Sequence, residues 1–94
     1  MAQVWYKVDF GPGKITFLDD AQKEDMLQVE YPNNFLLDMG WYRDRYIILV
    51  IQDFDWAHPV KRYETTDRDQ LPALLTKTIR FAEEESRTAG LEKS

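Results

Sequence analysis

The chain has no cysteine, one histidine and only two serines, and these shortages remove whole classes of chemistry. Without cysteine there is no disulfide framework and no thiol nucleophile, a composition that fits a reducing compartment. His58 is the only side chain whose unperturbed pKa suits proton transfer near neutrality. The serines, Ser86 and Ser94, lie at the carboxy-terminal end. A serine–histidine relay would require that end to fold back onto His58, and none is expected. No apolar run approaches the roughly 18 residues of a membrane span. The first residues, Met1 to Lys7, lack a basic segment followed by an apolar stretch and a small-residue cleavage site. The expectation is a cytoplasmic protein, neither exported nor membrane-embedded.

What is present is a core. Across 94 residues, 44% are hydrophobic and 14% aromatic, enough for one domain over 1–90, with 91–94 expected to fray as a tail. Seventeen acidic against twelve basic side chains give a net charge of −5, which disfavours a role dominated by nucleic-acid phosphates and favours a basic partner. The same charge serves solubility. There is no internal repeat, low-complexity tract or linker.

The run Tyr46-Ile47-Ile48-Leu49-Val50-Ile51, continuing to Phe54, reads as a central strand buried on both faces. Before it, Val4, Tyr6, Val8 and Phe10 alternate with polar residues, and Lys14 to Leu18 resumes the alternation after Gly11-Pro12-Gly13, which predicts a hairpin. Asp19 to Asp25 reads as a loop or a single helical turn. Leu27, Val29 and Tyr31 share one side of the next strand, which ends at Pro32-Asn33-Asn34. Phe35, Leu37, Met39 and Trp41 share one face of another, opposite Asp38 and Gly40, and Arg43 to Arg45 is the turn into the apolar run.

Val60 to Thr66 is a more polar strand, expected near an edge. From Leu71 the period becomes helical: Leu71, Leu74, Leu75, Thr78, Phe81 and Ala82 form a stripe, with Lys77, Arg80, Glu83 and Glu84 facing away. Asp67 and Asp69 supply the acceptors and negative charge of a helix start, with Asp69 as the expected N-cap, and Gly90 is the expected stop. The predicted fold is α+β, an antiparallel meander of five or six strands with one carboxy-terminal helix on one face. One helix leaves the other sheet face short of cover, so sheet curvature, the Asp19 to Asp25 segment or a partner surface is needed there.

Three clusters carry candidate chemistry. Asp53, Asp55 and His58 surround Trp56 at the exit of the apolar run; the trio offers metal-ligand types, yet its spacing matches no standard motif and suits a structural turn in which Trp56 plugs the core edge. Gly11-Pro12-Gly13-Lys14 lacks the spacing and the following helix of a phosphate loop and reads as a turn. Arg43, Arg45, Lys61 and Arg62 are interleaved with Trp41, Tyr42, Tyr46 and Tyr63, a pattern that in single-strand binders stacks bases, although cross-strand packing gives the same pattern. The aromatics and arginines are also the types enriched at protein interfaces.

The leading expectation is therefore a small acidic protein-interaction module without catalytic activity, of the kind that neutralises a basic protein as an immunity partner does. Asp38, Trp41, Tyr42, Asp53, Asp55 and Trp56 are its expected acidic–aromatic surface, with no cofactor. A homodimeric structural domain is the alternative. An enzyme built with a metal or ligand on Asp53, Asp55 and His58 is the third reading.

Overall fold

The computed structural model describes residues 8–11, 13–18 and 26–92. Among these residues, five strands, Lys14–Leu18 (β1), Leu27–Tyr31 (β2), Phe35–Tyr42 (β3), Arg45–Gln52 (β4) and Lys61–Thr65 (β5), precede a 3-10 turn at Arg68–Gln70 and one α-helix, Leu71–Glu92 (α1). The strands lie side by side in sequence order, each antiparallel to the next, with a register irregularity in β1 between Ile15 and Phe17. This is the α+β meander that the alternating patterns predict. Of the first predicted strand, Val4 to Lys7 lie outside the described residues, and Val8 to Phe10 have no strand geometry. The Asp19 to Asp25 segment also lies outside them.

The helix covers the sheet face that the period of two selects. Leu27, Val29 and Tyr31 of β2, Phe35, Leu37 and Met39 of β3, and Tyr46, Ile48 and Val50 of β4 pack with Leu71, Leu75, Ile79 and Ala82 of α1. Fully burying one such side chain contributes roughly 1.5–3 kcal/mol, so this single layer is the main source of stability. Ile79 and Ser86 are buried as well as the predicted stripe, whereas Leu74 and Phe81 are only partly buried.

The opposite face is less open than one helix implies. Ile47 and Leu49 are half-buried there, while Leu36, Asp38 and Ile51 are buried.

Three expected boundaries move. Strand β4 stops at Gln52, not Phe54, because Asp53 and Phe54 take left-handed φ values of 55° and 60° that cannot continue a ladder. Asp67, not Asp69, is the cap: its carboxylate accepts the Asp69 N–H at 2.9 Å and starts the 3-10 turn, which passes into α1 with Pro72 in its first turn. The helix also runs through Gly90 to Glu92. Gly90 serves close approach instead of termination, since a β-carbon there would stand 2.9 Å from Asn33 Nδ2.

Candidate functional site

The sheet has two functional-looking ends, and the sequence-predicted residues divide between them. Trp41 pairs with Tyr46 and Tyr42 with Arg45 at the β3–β4 turn, whereas Phe35 pairs with Gln52 at the other end. The six steps from Phe35 to Trp41 span about 20 Å at strand rise. Trp41 and Tyr42 are thus a sheet length away from Asp53, Asp55 and Trp56, so the six expected residues do not form one surface. Asp38 is displaced in another way: it is 3% exposed, in mid-strand, where its Oδ1 accepts a hydrogen bond from Gln28 Nε2 at 3.2 Å. A carboxylate so placed is not presented to a partner.

At the β3–β4 end, Tyr42, Arg43, Arg45, Ile47, Arg62 and Glu64 line a broad groove of about 590 Å³. Two of its three arginines, Arg45 and Arg62, are already engaged. Glu64 Oε1 accepts from Arg45 Nη1 at 2.9 Å and Oε2 from Arg62 Nη2 at 3.0 Å, while Arg45 Nε also donates to Asp44 at 3.2 Å. The bond to Arg45 lowers the Glu64 pKa, and the bond to Glu64 raises that of Arg45. Such exposed pairs contribute little to stability. The basic–aromatic pattern is also split by the sheet. Lys61 Nζ lies on the helix side, 5.3 Å from the Tyr63 ring centre and 5.5 Å from that of Phe81, and Trp41 packs edge-on against Tyr46 at 4.6 Å. These rings pack against the core and are not interleaved with Arg43, Arg45 and Arg62 in one stacking platform.

The other end is built from two adjoining loops. Asn33 and Asn34, in the β2–β3 turn, and Asp53 and Phe54, in the β4–β5 loop, all have left-handed backbones. Asparagine and aspartate tolerate this conformation; for a bulky residue such as Phe54 it is a genuine outlier. The loops hold each other in place. The Asp53 N–H donates to the Asn34 carbonyl at 2.9 Å, and Asn34 Nδ2 donates to Asp53 Oδ1 at 3.2 Å. Further along, the Asp55 N–H returns to the Gln52 carbonyl, the His58 N–H to the Asp55 carbonyl and the Val60 N–H to the Val50 carbonyl. The backbone is pinned at successive points while two large rings point outward: Phe54 is 69% exposed and Trp56 46%. Trp56 therefore does not plug the core edge.

Asp55 and His58 meet, with the carboxylate oxygens 3.3 Å from His58 Nδ1, but Asp53 turns away to Asn34. Among the described residues, no three His, Cys, Asp or Glu side chains are gathered to hold a metal ion. The trio expected at this exit is thus a pair plus a separate loop clasp.

Between the two loops lies a cleft of about 240 Å³, floored by Tyr31, Phe35 and Leu36 and rimmed by Glu30, Asn33, Asn34 and Phe54. Lys14 stands opposite Glu30 across the β1–β2 pair, and among the described residues no basic side chain lines the cleft. Sequence reading passed over these residues because Pro32-Asn33-Asn34 is an ordinary turn signal. The one local clue was Phe54, an aromatic set between two aspartates. Comparison with protein-family models, with curated proteins and with solved structures finds no match to this chain. No described helix is long and apolar enough to cross a membrane.

Proposed function

We propose that the chain is a protein-binding module that engages a basic partner through the β4–β5 loop, with Phe54 and Trp56 as anchors and Asp53 and Asp55 as the steering charge. The observation that carries this reading is the display of two exposed aromatic rings on a hydrogen-bonded loop, one of them, Phe54, on a costly left-handed backbone. Exposed large rings are the residues that most often dominate binding energy. A pinned loop loses little freedom on binding, which leaves more of the contact energy as affinity. Strain of this kind, of order 1–3 kcal/mol per residue, persists where the surroundings enforce it and clusters at ligand clamps and switches. The −5 charge of the chain supports a basic partner, because long-range attraction raises the rate of encounter.

The test is capture by the tagged chain from a lysate of its source cell, at moderate and at high salt, with the Trp56→Ala variant in parallel. One stoichiometric basic protein, lost at high salt and lost with Trp56→Ala, is the expected result. Retention of the same protein by the variant would remove the loop from the interface. Retention of nothing but untagged copies of the chain would replace this reading with self-association.

A further inference from the structure

The cleft beside Phe54 has an uneven hydrogen-bonding inventory. Three side chains that line it carry donor groups, and each group already donates one bond, which leaves one N–H on each of the two asparagine amides. Tyr31 OH donates to the Phe10 carbonyl at 2.9 Å, Asn33 Nδ2 to the Ser86 carbonyl at 2.6 Å and Asn34 Nδ2 to Asp53 Oδ1 at 3.2 Å. The acceptors are a different matter. Glu30 is exposed at the rim, and no hydrogen bond reaches Asn33 Oδ1, Asn34 Oδ1 or the Glu30 carboxylate among the described residues. The cleft therefore offers three acceptor groups, one of them a full negative charge, and aromatic carbon, against one remaining N–H on each asparagine amide.

A ligand complementary to the greater part of that inventory has several donors, a positive charge and an apolar stem. Guanidinium is the protein group that fits: it has five N–H donors in a fixed plane, no acceptor, and a face that stacks on aromatic rings. The volume agrees, since 240 Å³ is below the roughly 300–1,000 Å³ of small-molecule pockets and suits one side chain.

We infer that this cleft takes an arginine side chain of the basic partner, with its stem along Leu36, its guanidinium at Glu30 and the asparagine carbonyl oxygens, and the Phe54 ring over it. The inference rests on the protein-binding reading of this end of the molecule and names the group that the partner must present. Lysine matches less well, because its point charge cannot bond several separated acceptors in one plane.

The test needs no partner. The full chain is titrated with N-acetyl-arginine amide, N-acetyl-lysine amide and the uncharged N-acetyl-citrulline amide, and backbone amide resonances are followed. The arginine probe should give saturable shifts centred on Asn33, Asn34 and Phe54, with citrulline binding about tenfold more weakly for want of a charge-assisted bond. Glu30→Gln, a change at an exposed strand position, should weaken the arginine probe by a similar factor with the rest of the spectrum unchanged.

Equal binding of arginine and citrulline, shifts spread over the acidic surface, an unaffected Glu30→Gln variant, or lysine matching arginine would each overturn the assignment. Failure here is separable from failure of the protein-binding reading. A partner captured through Trp56 with no response to arginine sinks the cleft assignment alone. Saturation by arginine with no retained protein sinks the partner and leaves a guanidinium site.

Discussion

Asn33 Nδ2 lies 2.9 Å from the point where a β-carbon on Gly90 would stand, and it donates a 2.6 Å hydrogen bond to the Ser86 carbonyl of the same helix. A glycine inside the last turns of α1 costs about 1 kcal/mol of helix propensity relative to alanine. The missing side chain leaves room for the β2–β3 turn to clasp the helix, and so to fix one wall of the cleft.

Gly90→Ala should accordingly bring little gain. Its propensity advantage of about 1 kcal/mol is offset by displacement of Asn33 and loss of a hydrogen bond contributing about 0.5–1.5 kcal/mol. In an Asn33→Gly background, which keeps the left-handed backbone and removes the side chain, the same substitution should stabilise by about 1 kcal/mol. A double-mutant cycle in urea checks this: additivity of the two changes would show that they do not touch.

Phe54 sets stability against binding. At φ 60° any β-carbon is strained, so Phe54→Gly should be more stable than Phe54→Ala by about 1 kcal/mol. Both variants should lose capture of the partner, since both remove the ring. Denaturant midpoints give the first comparison, and an alanine variant as stable as the glycine one would show that the conformation is not enforced.

Tyr31 should give the fold an alkaline limit. Burial, then the charges of Glu83 and Asp9, raise its pKa well above the usual phenol value near 10. The neutral phenol is thus favoured in the folded state, and it donates to the Phe10 carbonyl. The stability from this protonated state is fully present below the unfolded-state pKa and is lost as pH rises from about 10 toward the folded value. Melting temperature against pH should fall more steeply above that point in the wild type than in Tyr31→Phe. The variant should be less stable by about 1 kcal/mol at neutral pH through the lost bond.

The fold was legible because its code is local. The alternation of Leu27, Val29 and Tyr31, the apolar run from Tyr46 and the helical spacing from Leu71 each specify an element and its inward face. Boundaries were harder, since Asp53, Phe54 and Gly90 are shaped by neighbours distant in sequence: Asn34 holds the first of them and Asn33 abuts the last. The candidate surface was half legible. Asp53, Asp55 and Trp56 stood out as a polar–aromatic cluster, but Asp38 sits on a face that is buried in mid-strand and Trp41 at the far end of the sheet. Glu30, Asn33 and Asn34 join the site only once β2 lies beside β3 and β3 beside β4, a proximity that no single stretch of sequence encodes.

The meander order has a kinetic consequence. Every strand pair in the described sheet joins sequence neighbours, and β3 and β4 are separated only by Arg43 and Asp44, so the longest ladder closes the shortest loop. Pairings of this kind carry a small loop-closure entropy, and chains dominated by local contacts fold quickly. The clasp between Asn33 and Ser86 spans 53 positions and belongs to the opposite regime. It needs the carboxy-terminal end of the helix beside the β2–β3 turn, so this wall of the cleft is expected to form later than the strand ladders.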